Sequence, residues 1–212
     1  SMGLIALLSL VGAFWLWRRM PDRVIPPALS AAAWRQTLSS RTLLVTLCVT
    51  VMSAAGQFVL FSYMAPYITT RFATTPGQFS LVLLVYGGMG FVGNALLSRH
   101  IDRIGASRAV WLSLSAIATG MLLMPWADHW AMACLTLLPW GLGVFASNSS
   151  QQARLVNLAP VLAPASIALN TSAMYAGQAI GAGSGGWLIQ AAGITSLPTA
   201  GCIGLICALG LS

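Results

Sequence analysis

Long apolar runs separated by short polar gaps divide the sequence. Seven runs stand out, at about 2–17, 42–69, 78–98, 107–126, 129–150, 164–191 and 194–212. A helix rising 1.5 Å per residue needs about 20 apolar residues to cross ~30 Å of hydrocarbon. The first run is short for that task, as expected of a chain that begins part-way through a helix. The runs are apolar all round and about twice the ~10 residues of a barrel strand, so they predict helices. The pattern predicts an all-α polytopic membrane protein with about seven transmembrane helices.

The gaps carry the charge, and their order carries the topology. Gap by gap, the first holds Arg18, Arg19, Arg23, Arg35 and Arg41, the second Arg71 alone, and the third Arg99, Arg103 and Arg108. The fourth gap holds no arginine, the fifth holds Arg154, and the last is uncharged. Basic gaps therefore alternate, nine arginines against one. Basic residues collect on the cytoplasmic side, which predicts a cytoplasmic linker 18–41 and a cytoplasmic loop 99–108. Residues 127–129 (Ala-Asp-His) are expected to form a tight hairpin between Trp126 and Trp130, both suited to the membrane interface. The segment 18–41 is the one long connection, with Pro21, Pro26 and Pro27, and a short interfacial helix is expected over 28–38. The expected organisation is a helix at 1–17, the linker 18–41 and a six-helix bundle at 42–212.

Composition agrees. Charged residues make up 6% of the chain and hydrophobic ones 58%, whereas a soluble domain carries about a quarter charged residues. Membrane lipid is thus the main expected partner. The net charge of +7 is all arginine. Its placement in gaps, with no aromatic-studded polar face, excludes nucleic acid as a partner. Arg18 and Arg19 follow the first apolar run rather than precede it, unlike a cleavable signal. Cys48, Cys134, Cys202 and Cys207 lie inside apolar runs without CxxC spacing and are expected to be small apolar core residues. Asp128-His129 is a lone pair, so no metal site is expected. No nucleophile–base cluster, phosphate-cradling loop or dinucleotide fingerprint is present, so neither an enzyme nor a cofactor is expected.

No Asp, Glu, Lys or Arg falls at the predicted centre of a run, so this chain offers no proton-carrying carboxylate. Uncharged polar residues are present in the runs and at their ends. Gln57 and Tyr63 lie in the second run, Asn148 and Gln152 at the end of the fifth, and Asn170, Tyr175 and Gln178 in the sixth. Such groups either join helices or line a wet cavity. As a set, Gln57, Tyr63, Asn148, Gln152, Tyr175 and Gln178 predict a polar cavity. Gly177, Gly181 and Gly185 repeat every four residues, a stripe that admits a close neighbouring helix for static packing or for sliding. Pro66 and Pro139 predict kinks in the second and fifth runs.

The stretch SRHIDRIGASR (98–108) concentrates charge between the third and fourth runs. Gly93-Asn94, followed by Asp102-Arg103-x-Gly105-x-x-Arg108, resembles the loop signature of the major facilitator superfamily. That signature is a helix glycine, then Asp-Arg-x-Gly-x-(Arg/Lys). Here the last basic residue is displaced, because Ser107 precedes Arg108. WGLGVFASNSSQQARLVNLAP (140–160) is similar to the tenth span and its exit in that family's drug and sugar exporters. ALNTSAMYAGQAIGAGSGG (168–186) is similar to their eleventh.

The resemblance implies the C-terminal half of a transporter, spans six to twelve, with the N-terminal half of the same protein outside this chain. It resembles the arabinose and purine-nucleoside efflux proteins. It implies proton-coupled efflux of a small organic solute by alternating access in a bacterial inner membrane. The coupling carboxylate would then lie in the other half. The same resemblance implies that Gly93, Asn94, Asp102, Arg103, Gly105 and Arg108 form a conformational latch, with Asp102 facing a helix N-terminus; on charge alone they serve as a topology anchor. A truncated product that inserts without transporting, or an assembly partner, is the other reading the residues leave open.

Overall fold

A computed structural model describes residues 2–19 and 31–212. Among the described residues every regular element is a helix. The chain divides into two units, residues 1–30 and 31–212. In the first, α1 (Met2–Arg19) ends in Arg18 and Arg19. Arg18 sits over the Phe14 ring at 5.0 Å. Asp22, Arg23 and the linker prolines Pro21, Pro26 and Pro27 lie outside the described residues.

The second unit holds α2 (Ala31–Ser39), α3 (Arg41–Phe61), α4 (Met64–Phe72), α5 (Pro76–Ile104), α6 (Ala106–Leu123), α7 (Trp130–Leu158), α8 (Ala163–Ala192) and α9 (Leu197–Leu211). Local chemistry sets several starts. The Ser40 side chain accepts the Leu43 N–H to cap α3. Thr75 and Gln78 form a reciprocal capping box around Pro76 at the head of α5, and proline is favoured there because its missing N–H has no helical partner anyway.

Two expectations are corrected. The run 42–69 is two helices, α3 and α4, broken at Ser62-Tyr63. Pro66 lacks the N–H that would bond the Ser62 carbonyl, and its ring collides with that carbonyl in a continuous helix. By contrast α7 runs on through Pro139. The loop 99–108 is almost entirely helical: α5 extends to Ile104 and α6 starts at Ala106. Gly105 alone turns the chain, with φ +82°, a conformation that favours glycine. By length and composition, five helical stretches among the described residues qualify to cross a membrane, at Arg41–Phe61, Pro76–Ile104, Ala106–Trp126, Trp130–Leu158 and Ile194–Leu211. The expected sixth span, α8, has 30 residues, but Asn170, Thr171, Ser172, Gln178 and its glycines dilute its apolar character. The interfacial helix expected over 28–38 overlaps α2, which starts at Ala31; residues 28–30 lie outside the described residues.

Two of the four cysteines also depart from expectation. Cys202 is buried, but Cys48 and Cys207 are exposed on the bundle surface. An apolar run in a membrane protein points outward to lipid as readily as inward to a core.

The helices pack in the spatial order α8, α3, α9, α6, α7, α5, with lighter contact between α7 and α8. Leu60, Tyr67, Leu114, Ile117, Met121, Leu137, Trp140 and Leu205 fill the interior. At one end, the Arg71 guanidinium donates to the carbonyls of Pro125 (2.5 Å) and Ala127 (3.3 Å), tying α4 to the turn between α6 and α7.

Glycines carry the closest packing. The carbonyls of Val51, Ala55 and Val59 on α3 occupy the positions where side chains on Gly177, Gly181 and Gly185 would begin. The two four-residue repeats match turn for turn. Likewise Gly93 lies under the Leu142 carbonyl, Gly141 under that of Tyr86, and Gly143 under that of Ser113. Lipid tails are as apolar as leucine, so helices in a membrane gain little from apolar burial and rely on such close dispersion contact. Gly183, in contrast, faces open space. Gly181→Leu is expected to destabilise the bundle by about 1–3 kcal/mol through overpacking against a carbonyl. Gly183→Ala should hold or raise stability, since alanine favours helix by about 0.5–1 kcal/mol. Thermal unfolding in detergent measures both.

Candidate functional site

A cavity of about 340 Å³ lies among α3, α5, α7 and α8, while α6 and α9 contribute nothing to its lining. Its walls divide in two. Thr50, Ser53 and Gln57 of α3, Ser147, Asn148 and Gln151 of α7, and Gln178 of α8 are polar. Phe58 and Phe61 of α3, Tyr86 of α5, Phe145 of α7 and Met174 of α8 are aromatic or apolar. The Phe58 and Phe61 rings lie 5.2 Å apart, Phe61 and Tyr86 5.5 Å, and Tyr86 meets Trp140 edge-on at 5.3 Å. No charged side chain lines the cavity among the described residues.

One end closes on a polar hub. The Thr50 hydroxyl donates to Asn170 Oδ1 at 2.6 Å, and Gln151 Nε2 donates to Thr50 Oγ1 at 3.1 Å and to the Thr46 carbonyl at 3.3 Å. Three helices, α3, α7 and α8, meet at this hydroxyl. The participants are nearly dry: Thr50 is 5% exposed, Gln151 3% and Asn170 0%. Two polar atoms of the hub, Gln151 Oε1 and Asn170 Nδ2, are buried without a partner.

Of the cavity residues expected from sequence, Gln57, Asn148 and Gln178 lie in the lining. Tyr63 does not: its hydroxyl donates to the Ala182 carbonyl at 3.0 Å, locking the α3–α4 break against α8. Gln152 is half-buried outside the lining, and Tyr175 is 61% exposed on α8. Thr50, Ser53 and Gln151 are lining residues that sequence reasoning did not select. Thr46, Thr50, Ser53 and Gln57 follow the spacing of one helical face, a signal the sequence carried.

The loop residues separate in the same way. Gly93 and Asn94 belong to the α5–α7 contact, where the Ser149 hydroxyl donates to Asn94 Oδ1 at 2.7 Å. Asp102 and Arg103 are exposed. Asp102 borders a cleft with Ala106 at the start of α6 and Ala153, Val156 and Asn157 on α7. Arg108 borders a neighbouring cleft with Arg154, whose guanidinium donates to the Ser212 carbonyl at 3.0 Å.

The apolar spans, close glycine contacts and polar-hubbed cavity define a multi-pass helical membrane protein. The family model described as Major Facilitator Superfamily matches residues 1–161 and, overlapping them, 46–211. The chain belongs to the major facilitator superfamily. It is similar to the inner membrane transport protein YdhP of Escherichia coli, at 32% identity over 76% of this chain and 41% of that protein. It is also similar to the "Probable sugar efflux transporter" of Haemophilus influenzae, 28% identical over 87% of this chain and 46% of that one. A third relative, the uncharacterized MFS-type transporter YbcL of Bacillus subtilis, is 23% identical over 98% of this chain and 53% of its own. The chain spans about half the length of these relatives.

Thr50→Val keeps the shape of the hub residue and removes its hydroxyl, leaving buried Asn170 and Gln151 groups unpaired. The expected cost is about 1–3 kcal/mol. The exposed Thr69→Val, which loses only bonds within its own helix, is expected to stay within about 0.5 kcal/mol. Thermal unfolding of the two variants in detergent checks the difference.

Proposed function

We propose that the chain forms the C-terminal half of a secondary active transporter that exports a small organic solute by alternating access. The observation that carries this reading is the cavity walled by α3, α5, α7 and α8 and backed by α6 and α9. Two outer helices hold the bundle together, and four inner ones present polar and aromatic groups to a shared space. A partner bundle facing that space would complete a solute site near the membrane midplane. The names of two relatives, which speak of sugar efflux and inner membrane transport, support an exported sugar or sugar-like solute and a bacterial inner membrane.

A proton gradient is the proposed driving force. With no carboxylate in the lining, the protonated group would belong to the preceding half. The segment 18–41 would join the halves on the cytoplasmic side. The short connection at Gly105 would lie on that side too, and there Asp102 serves as a latch. It stands beside the start of α6, where unpaired N–H groups give a positive end, and it is exposed enough to exchange partners as the halves rock.

Asp102→Asn removes the charge and keeps the shape. Proton-gradient-dependent efflux by the full-length protein is expected to fall severalfold at equal expression, since a charge at a helix end is worth about 0.3–1 kcal/mol in the state that uses it. Efflux measured in inverted vesicles, unchanged by this substitution, would remove the latch.

A further inference from the structure

The cavity is uncharged and its two ends differ. Along α3, polar Thr50 and Ser53 give way to Phe58 and Phe61, and along the antiparallel α7, Phe145 gives way to Asn148 and Gln151. The two helices thus set their polar groups at one end and their aromatic groups at the other. Thr50 and Phe61 are eleven residues apart, roughly 16 Å at 1.5 Å per residue, so the two ends can hold different parts of one molecule. An anionic solute would have to shed its water against walls that offer no cation in this half, which costs far more than neutral hydrogen bonds return. A solute with no polar groups would leave the amides of the polar end dry and unpaired.

Gln151 stands at the polar end. Its amide N–H groups are committed to Thr50 and Thr46. Its Oε1 has no partner, although the residue is 97% buried and lines the cavity. A buried acceptor without a protein partner is satisfied only by water or by a donor that arrives from the space the side chain borders. A carbonyl-type oxygen accepts and does not donate, so the group it selects carries an O–H or N–H.

We propose that the cavity takes a neutral, two-ended solute, with a flat apolar or aromatic face against Phe61 and Tyr86 and a hydroxyl-bearing end toward Gln151, and that Gln151 is the residue that reads the hydroxyl. A glycoside with an aromatic aglycone has this form. The proposal rests on the transporter reading above and names its solute class.

The test uses the full-length protein in proteoliposomes and four probes: phenyl glucoside, its analogue with every ring hydroxyl replaced by hydrogen, glucose, and phenyl glucuronide. Phenyl glucoside should bind about tenfold or more tightly than each of the others, tenfold being the worth of one good hydrogen bond. In Gln151→Met, which keeps the length of the side chain, its affinity should fall about tenfold while the deoxygenated analogue binds as before. The analogue serves as its own folding control. Glucuronide binding as tightly as the glucoside would overturn the proposal, as would a Gln151→Met effect equal for both compounds, or no binding of any probe. Gradient-driven flux read in the same vesicles separates the two readings. Selective binding without flux sinks transport and keeps the solute class, whereas flux of a charged solute with the glucoside excluded does the reverse.

Discussion

The contact on which this bundle depends is helix backbone against helix backbone. In water, six helices of this composition would be driven together by apolar burial. In hydrocarbon that drive is small, and cohesion comes from contact density and from the few polar bonds available. Gly177, Gly181 and Gly185 let the carbonyls of Val51, Ala55 and Val59 come within touching distance over two full turns. The same device recurs between α5 and α7 and between α6 and α7. Because the repeats on α3 and α8 share a four-residue period, the contact is a continuous seam, and it fixes the register of the two helices.

The seams also explain why a cavity persists. Glycine contacts lie on the flanks of α3, α7 and α8, leaving their inner faces free of mutual packing. Those inner faces carry Gln57, Asn148, Gln178 and the aromatic set. Where α3, α7 and α8 do converge, they do so on the Thr50 hydroxyl. Buried polar bonds of this kind specify an arrangement more sharply than apolar contact, since a slip of one turn would leave amides unpaired in a dry interior. Dense seams therefore set the frame, and a polar hub closes one end of the space inside it.

Much of this was legible in the sequence. Apolar runs and alternating arginines gave an all-α membrane bundle, and the Gly177–Gly185 stripe marked a helix face that another helix approaches closely. Gln57, Asn148 and Gln178 were readable as cavity residues, because amides deep in apolar runs need partners or water. The break at Ser62-Tyr63 was harder, since Pro66 could equally kink a continuous helix, as Pro139 is carried within α7. The helical state of residues 99–104 was hidden by their charge, which marks the membrane edge and not the end of a helix. Thr50 was missed because a hydroxyl in a helix bonds its own backbone by default, and Gln151 because it stands in the polar run 148–152, where pattern does not favour one member over another. Their meeting depends on which faces of α3 and α7 point at each other, a fact of packing and not of pattern. Tyr63 was misplaced for the same reason: its depth suited the cavity, but its direction is toward Ala182.

The central claim is that the inner faces of α3, α7 and α8 border water while the outer faces of the bundle border lipid. It is tested most directly by single cysteines in a full-length, cysteine-free background, probed with a membrane-impermeant thiol reagent. Gln57→Cys, Asn148→Cys and Gln178→Cys stand in the cavity, and Leu112→Cys and Ile203→Cys stand on exposed apolar positions of α6 and α9. The first three are expected to label and the last two are not. Labelling of Leu112→Cys and Ile203→Cys with the cavity positions silent would contradict it.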